Sequence, residues 1–268
     1  MKKELNLAIE AAHAAGKAIM DIYGTGEFLI ERKNDNSPLT IADKRANEVI
    51  NSFLGSTAIP IISEENSQLP YQERKKWTNC WIVDPLDGTK EFIKRNGEFT
   101  VNISLIVSGY PILGVVYAPA LGQLYFSDVT KKKAFQVKLK ASLPFNLEEI
   151  KKQAKEIYPS RLTNVIKVVG SRSHMNDETL EYINGLKQKY SKEVEMVAKG
   201  SSLKFCLVAE GVANIYPRFA PTMEWDTAAG QAICEAVGLK VVFRDTGETI
   251  SYNRENLLNR SFLVLNEG

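Results

Sequence analysis

Cysteine is scarce in this 268-residue chain, which has three: Cys80, Cys206 and Cys234. They are far apart in the sequence, and no two of them form a Cys-x-x-Cys pair. An odd number of dispersed cysteines argues against a disulfide framework, and the lack of close pairs argues against a zinc site. We therefore expect reduced thiols, mostly buried, in a cytoplasmic protein.

An excess of one charge is also missing. The chain has 34 Lys and Arg residues against 32 Asp and Glu, which gives a formal net charge of +2. A dedicated nucleic-acid binder normally carries a large basic excess, so we expect no nucleic-acid partner. Any anionic ligand must then be bound by a local cluster of side chains.

Long apolar runs are absent as well. The longest covers five residues, 205–209, whereas a membrane-spanning helix needs about 18. We expect no integral membrane segment. Residues 1–3 resemble the basic start of an export signal, but Glu4, Glu10 and Asp21 interrupt the apolar core that such a signal requires. No export signal is expected.

What is present is typical of a globular protein. Hydrophobic residues make up 44% of the chain and charged residues 25%, which are average values, and the length allows one large domain or two modest ones. Apolar residues at helical spacing predict a helix over 3–23 and a second one after Thr40. Short strands follow between residues 59 and 139 and are expected to form an antiparallel meander.

The pattern changes after residue 139. Residues 140–164 are polar and rich in lysine, which makes them the best candidate for a domain junction. Strands then alternate with helices, which are predicted over 177–190, 201–210 and 227–237. We expect an α+β domain over residues 1–156 and an α/β domain over residues 157–268.

Two aspartates follow directly after a short apolar strand predicted over residues 80–83. Asp84 and Asp87 have Pro85 between them, so the chain is expected to turn where the strand ends and to aim both carboxylates at one point. Gly88-Thr89 then leads into a predicted helix, whose first N–H groups suit a phosphate oxygen. Two carboxylates, a hydroxyl and an anion-binding turn together indicate a Mg²⁺-dependent phosphate site.

A plain polar turn is the alternative interpretation of these aspartates. Glu64 and Glu65 favour the metal site, because they end another short apolar strand twenty residues earlier. Only one of these two adjacent glutamates can face the site, since side chains alternate along a strand.

Three stretches resemble the signature motifs of the inositol monophosphatase-like superfamily of Mg²⁺-dependent, Li⁺-sensitive phosphomonoesterases. They are Glu64-Glu65, residues 81–89 (WIVDPLDGT) and residues 225–230 (WDTAAG). Residues 84–103, 114–119 and 200–206 resemble one branch more narrowly, the bacterial 3′(2′),5′-bisphosphate nucleotidases of the CysQ type. The resemblance runs from residue 35 to about residue 238. It implies a layered α-β-α-β-α sandwich with a mainly antiparallel N-terminal sheet and a smaller α/β C-terminal domain.

The resemblance also implies a site for two or more Mg²⁺ ions. The implied ligands are Glu64, Asp84, the backbone carbonyl of Leu86, Asp87 and Asp226, with Asp84 bridging two ions. Such a site polarises the phosphoryl oxygen and lowers the pKa of a bound water. Thr89, hydrogen-bonded to Asp43, would orient or deprotonate the attacking water, and Glu64 belongs with them among the catalytic residues. No covalent phosphoenzyme is needed.

Three of these residues also have a purely structural interpretation. Asp43 could be only the acidic partner of a capping box with Thr40. Asp226 could be only an N-cap, which contributes about 1 kcal/mol. Thr89 could be an ordinary residue at the start of a helix.

The implied substrate-binding residues are Gly88, Thr89, His174, Ser201, Lys204, Arg218 and Asp226. A bisphosphate has one phosphate that is not hydrolysed and that needs cationic partners of its own, and Ser201 is expected to open a helix beside it. The structural alternatives are that Lys204 extends to solvent from an apolar helix, that Arg218 is a surface charge and that His174 is an ordinary loop residue.

The hypothesis is a phosphatase that removes the 3′-phosphate from adenosine 3′,5′-bisphosphate, giving AMP and phosphate, in sulfate assimilation. The resemblance also implies 3′-phosphoadenylyl sulfate as a second substrate. One alternative is the same chemistry on inositol monophosphate or a sugar bisphosphate; another is a non-catalytic nucleotide and metal sensor. A cytoplasmic location is expected, and the sequence leaves open a peripheral position on the inner membrane face and the choice between monomer and homodimer.

Overall fold

The computed structural model describes residues 3–25, 30–32, 38–139, 144–171 and 176–266. The helices in these ranges are α1 (Lys3–Thr25), α2 (Ile41–Leu54), α3 (Tyr71–Arg74), α4 (Thr89–Ile93), α5 (Leu147–Gln153), α6 (Asp177–Tyr190), α7 (Leu203–Ala209) and α8 (Glu224–Ala236). The strands are β1 (Ile30–Arg32), β2 (Pro38–Thr40), β3 (Ile61–Ser63), β4 (Asn79–Asp87), β5 (Thr100–Val107), β6 (Tyr110–Ala118), β7 (Gln123–Asp128), β8 (Lys133–Lys138), β9 (Lys155–Glu156), β10 (Val165–Ser171), β11 (Glu193–Lys199), β12 (Ile215–Arg218), β13 (Thr222–Met223), β14 (Lys240–Phe243), β15 (Leu258–Asn259) and β16 (Phe262–Leu265).

Helices α1 and α2 form the outer layer on one face of the larger sheet. Gly16 of α1 lies so close to Tyr117 that a side chain there would collide with the aromatic ring. Helix α2 begins with a reciprocal cap, in which the Thr40 hydroxyl accepts from a backbone N–H of the first turn and the Asp43 carboxylate accepts from the Thr40 N–H. Both predicted N-terminal helices are confirmed.

The larger sheet contains seven strands in chain order, from β3 to β9. Strand β3 runs parallel to β4, and the other neighbouring pairs are antiparallel. Side chains of β4 alternate between the two faces: Trp81 and Val83 pack with α1 and α2, whereas Cys80 and Ile82 pack with α7 and α8. The predicted antiparallel meander is confirmed from β4 onward, whereas the parallel pairing of β3 with β4 was not expected.

The smaller sheet has five strands in the order β11-β10-β12-β16-β14. Strand β10 is parallel to β11 and β12, and β16 is antiparallel to β12 and β14. Helices α7 and α8 fill the space between the two sheets, and Ile183 and Leu186 of α6 pack on the outer face of β10. The layers therefore run α, β, α, β, α, as predicted, whereas the division into domains at residue 156 stays a prediction.

Several boundaries differ from the sequence-based expectation. The polar stretch 140–164 contains α5, which buries Ile150, and β9, which pairs with β8. A short exposed helix and a two-residue edge strand need few apolar residues, so their composition resembles that of a linker. Strand β11 was not predicted. It lies at the edge of the smaller sheet, and its apolar and charged side chains alike are partly exposed. It therefore has no buried apolar face that would produce a clear strand pattern in the sequence. All three cysteines are buried, as expected.

Within the ranges that the structure covers, no helix is both long and apolar enough to cross a membrane.

Candidate active site

A β-bulge brings Asp84 and Asp87 to the same place. Asp84 is opposite Asn102 on β5, and Asp87 is opposite Thr100, so three steps along β4 match two steps along β5. Residues three apart in a regular strand point to opposite faces, but the extra residue of a bulge reverses this relation. Pro85 lies within the bulge, where no ladder hydrogen bond is required of it. The prediction that the strand ends before Asp84 is wrong, since β4 continues to Asp87; the predicted convergence of the two carboxylates is confirmed.

Asp226 completes a group of three carboxylates. One oxygen from each of Asp84, Asp87 and Asp226 lies within 4.8 Å of the others. Asp226 is the third residue of α8, which begins three residues earlier than predicted, and its Oδ2 accepts the Met223 N–H at 2.7 Å. Asp226 is therefore not the N-cap residue itself, although its carboxylate supports the start of the helix.

These carboxylates are held under strong mutual repulsion. Burial, followed by the charges of Glu64, Asp87 and Asp226, raises the pKa of Asp84 well above its ordinary value. Burial, followed by the charges of Asp87 and Glu64, raises the pKa of Asp226 to about 8. Such a group is stabilised by a proton or a cation. Because all the donors are oxygens, the residues fit a hard divalent cation such as Mg²⁺ rather than a thiolate-bound metal.

Thr89 lies beside this group at the start of α4. Its hydroxyl donates to Asp43 Oδ1 at 3.1 Å and lies 3.5 Å from the backbone oxygen of Leu86. The other carboxylate oxygen, Asp43 Oδ2, accepts the N–H and the hydroxyl of Thr40 at 2.8 and 2.6 Å. The buried Asp43 thus makes the capping box and the predicted Thr89 contact at the same time.

Glu64 and Gly88 lie at the edge of the group. The backbone N–H of Glu64 donates to Val83 at 3.2 Å, which places this residue just beyond β3 and beside β4. Its side chain lines the cavity described below, but it is outside the group of three within 4.8 Å. Gly88 has a φ of +92°, a conformation that favours glycine, and lines the same cavity. Leu86 is buried.

A cavity of about 220 Å³ is lined by acidic residues of this site and also by basic residues. Lys204 lines it and is 6% exposed, so it does not extend to solvent. Its ammonium group donates to the Ser201 carbonyl oxygen and lies 5.6 Å from the centre of the Tyr216 ring. Burial lowers the pKa of Lys204 to about 8, and the charge of Asp87 opposes that shift.

Arg218 and Ser201 line the cavity beside Lys204. Arg218 Nη2 donates to the Pro221 carbonyl at 3.3 Å, and its Nε is buried without a hydrogen-bond partner among the described residues. Ser201 has a φ of +46° and lies two residues before α7, so it does not open the helix as predicted. His174 lies outside the described residues.

Sequence reasoning missed the polar residues that surround Asp87. Thr100 and Asn102 alternate with apolar residues along β5, a pattern that is equally typical of a strand with one face in solvent. In the structure both are buried and point toward Asp87. Ser202, which contacts the same carboxylate, lies within a stretch already singled out for its resemblance.

Comparisons with known proteins identify the family of this chain. Residues 1–267 match the model of the inositol monophosphatase family. Over 265 residues, covering 97% of this chain and 98% of the relative, the chain is 44% identical to the 3′(2′),5′-bisphosphate nucleotidase CysQ of Salmonella typhimurium. It is 43% identical, with the same coverage, to the nucleotidase of that name from Escherichia coli strain K12.

Solved structures show the same fold. The crystal structure of CysQ from Bacteroides thetaiotaomicron, described as a bacterial member of the inositol monophosphatase family, superposes with a TM-score of 0.87 at 43% identity, covering 100% of this chain and 98% of that one. The inositol monophosphatase of Thermotoga maritima superposes with a TM-score of 0.75 at 20% identity, covering 99% and 92%. With a family model that matches almost every residue and relatives above 40% identity over nearly their whole length, this chain belongs to the inositol monophosphatase family.

Proposed function

We propose that this protein is a Mg²⁺-dependent nucleotidase that removes the 3′-phosphate from adenosine 3′,5′-bisphosphate, giving AMP and phosphate. The observation that carries the proposal is a single cavity that is lined by Asp87, Asp226 and Thr89 and also by the cationic residues Lys204 and Arg218. The relatives that share 43–44% of its residues are named for hydrolysis of 3′(2′),5′-bisphosphates.

The metal site would be held by residues from the larger sheet and from α8, the helix that packs between the two sheets. The proposed ligands are Glu64, Asp84, the carbonyl of Leu86, Asp87 and Asp226. When bound, divalent cations supply the positive charge that stabilises the phosphoryl and leaving oxygens as negative charge develops on them. The raised pKa of Asp226 supports this assignment, because a cation relieves the repulsion that raises it.

Thr89 and Asp43 would move the proton of the attacking water. Thr89 donates its only hydroxyl hydrogen to Asp43 Oδ1, so its oxygen is free to accept a hydrogen bond from water. As the water oxygen attacks phosphorus, its proton can pass to Thr89 while the Thr89 proton passes to Asp43. The bond between phosphorus and the ester oxygen breaks, and that oxygen takes a proton from solvent. Asp43 is oriented for this role, because the hydrogen bonds from Thr40 hold its Oδ2 while its Oδ1 accepts the Thr89 hydroxyl.

The basic residues of the cavity would bind the phosphate that is not hydrolysed. Lys204 and Arg218 provide two cations there, and the buried Arg218 Nε is a donor without a partner in the described part of the chain. An inositol monophosphate has no second phosphate to engage these groups, so the arrangement favours a bisphosphate. Ser201 and, from the sequence alone, His174 are the other proposed contacts. Hydrolysis of 3′-phosphoadenylyl sulfate, the cytoplasmic location and the oligomeric state stay predictions.

Steady-state phosphate release from adenosine 3′,5′-bisphosphate, inositol 1-phosphate and fructose 1,6-bisphosphate tests the proposal. We expect the highest kcat/KM for the adenosine compound, no turnover in EDTA and inhibition by Li⁺. A preference for inositol 1-phosphate or fructose 1,6-bisphosphate would assign the protein to another substrate of the family. Tight binding of the adenosine bisphosphate without turnover in Mg²⁺ would show a sensor instead of an enzyme.

A further inference from the structure

Three buried polar side chains converge on one oxygen of Asp87. Ser202 Oγ donates to Asp87 Oδ2 at 2.8 Å, Asn102 Nδ2 lies 3.4 Å from the same oxygen, and Thr100 Oγ1 lies at 3.5 Å. The hydrogen bonds that the described residues donate to this carboxylate all reach Oδ2. Oδ1 is therefore the oxygen that remains for a cation.

Ser202 connects the two aspartates that come from different layers of the fold. Its hydroxyl oxygen also lies 2.9 Å from the backbone carbonyl oxygen of Asp226 and accepts the Asn102 amide at 2.9 Å. A hydroxyl has one hydrogen, and a bond to an ionised carboxylate is stronger than a bond to a neutral carbonyl. Donation to Asp87 is therefore favoured, with the Asn102 amide holding the Ser202 oxygen from the other side.

The orientation of the Asn102 side chain supports a role at the carboxylate. Its Oδ1 is buried without a hydrogen-bond partner among the described residues, which is unfavourable for a polar atom removed from water. Rotating the amide by half a turn would direct that oxygen at Asp87 Oδ2 and the Ser202 oxygen and would remove both donors. The Asn102 amide nitrogen is therefore directed at Asp87, although in this orientation the amide oxygen has no hydrogen-bond partner among the described residues.

We propose that Ser202 and Asn102 are positioning residues that hold the Asp87 carboxylate by Oδ2 and so present Oδ1 to the divalent cation. This inference rests on the proposed function, since it concerns a ligand of the same metal site. It adds two residues that act on the cation through Asp87, and it assigns the oxygen of Asp87 that binds. Partners that orient a metal ligand typically change metal affinity 10- to 100-fold when they are removed.

The test is Mn²⁺ titration of the full-length protein without substrate, in which the electron paramagnetic resonance signal of free Mn²⁺ reports the unbound fraction. Ser202→Ala is expected to raise the Kd for Mn²⁺ at least tenfold, and Ser202→Thr, which keeps the hydroxyl, is expected to restore most of the affinity. Asn102→Ala provides a second variant if Ser202→Ala does not fold, and it is expected to weaken Mn²⁺ binding in the same direction.

Ser104→Ala is the matched control. Ser104 is another fully buried serine, two residues along β5 from Asn102, and its hydroxyl donates to the Leu113 carbonyl at 2.8 Å. This variant should keep the wild-type Kd. Circular dichroism of the metal-free variants provides the check that each is folded.

The possible results separate this inference from the proposed function. Equal loss of Mn²⁺ affinity in Ser104→Ala and Ser202→Ala would show a general structural effect and overturn the positioning role. Wild-type affinity in folded Ser202→Ala and Asn102→Ala would also overturn it, while leaving the metal site intact. A wild-type protein that binds no Mn²⁺ at millimolar concentration would remove the metal site itself, and both proposals with it.

Discussion

At the scale of single side chains, repulsion among closely spaced carboxylates constrains this site. Asp84 is 1% exposed, and the charges of Glu64, Asp87 and Asp226 all act to raise its pKa. A hydrophobic core would exclude such a group, because unpaired buried charges are costly. The chain therefore keeps an arrangement that destabilises the metal-free fold and that a cation can relieve.

The stability of the metal-free protein should fall as the pH rises from about 4 to about 8. Burial and the charges of Asp87 and Glu64 raise the pKa of Asp226 to about 8, above the value of about 3.9 for an unfolded aspartate. Between these values the folded state binds more protons than the unfolded state, so the free energy of unfolding decreases with pH. Urea unfolding in EDTA at several pH values measures the slope. Asp226→Asn should flatten it between pH 5 and 8, and identical slopes for variant and wild type would contradict the prediction.

Removing the Thr89 hydroxyl should reduce turnover without releasing the metal. In Thr89→Val, the new side chain has a shape similar to that of threonine but has no hydroxyl to accept a proton from water or to donate to Asp43. General acid–base catalysis contributes typically 10²- to 10⁴-fold, so kcat should fall by about that range while the Kd for Mn²⁺ stays near the wild-type value. Thr89→Ser keeps the hydroxyl and should retain most of the activity. A Thr89→Val enzyme with wild-type kcat would exclude this proton path.

At the scale of secondary-structure elements, the turn between β11 and α7 determines where Ser201 and Ser202 lie. Glu98, just before β5, holds this turn: its Oε2 accepts the Gly200 N–H at 2.8 Å, and its Oε1 lies 3.3 Å from the Lys199 ammonium. A Cβ on Gly200 would lie 2.9 Å from the backbone oxygen of Glu98. The close approach of the turn to the larger sheet therefore depends on glycine at this position.

Gly200→Ala should destabilise the protein by about 1–3 kcal/mol, the usual range when atoms are forced into a packed interior. The displaced turn should also weaken Mn²⁺ binding, because Ser202 moves with it. Gly185→Ala is the matched control, since a Cβ at Gly185, on the exposed side of α6, has no neighbour within 4 Å. That variant should gain about 0.5–1 kcal/mol from reduced backbone freedom. Urea unfolding measures both, and equal effects of the two substitutions would contradict the steric argument.

Element boundaries and site residues differed in how far the sequence could predict them. The Asp84 to Thr89 stretch was predictable because its carboxylates, proline and glycine are neighbours in sequence. The bulge was not, because it exists only in the pairing of β4 with β5. The burial of Asn102 was also hidden, since a period-two polar pattern is the same whether the polar face meets water or another layer. Asp226 was found only through its family resemblance, because an aspartate near a helix start is usually a cap.

At the scale of the whole molecule, the site joins two layers that are far apart in the chain. Asp84 and Asp87 belong to the seven-stranded sheet, whereas Asp226 belongs to α8, which packs between the two sheets. A cation held by all three would link the sheet to the helix in the folded state. The unfolded chain has no such arrangement, because the two segments are then separated by more than a hundred residues.

Mg²⁺ should therefore stabilise the whole protein and not only its active site. A ligand that binds only the folded state at a hundred times its Kd raises the free energy of unfolding by about 2.7 kcal/mol, or the Tm by roughly 5–10 °C. Thermal unfolding in Mg²⁺ and in EDTA, with NaCl matching the ionic strength, measures this difference. Asp87→Asn should lose most of it, whereas Asp245→Asn, which changes an exposed aspartate paired with Arg260, should keep it. Equal Mg²⁺ stabilisation in both variants would mean that the ion binds elsewhere, because only Asp87 lies in the carboxylate group that connects the sheet to α8.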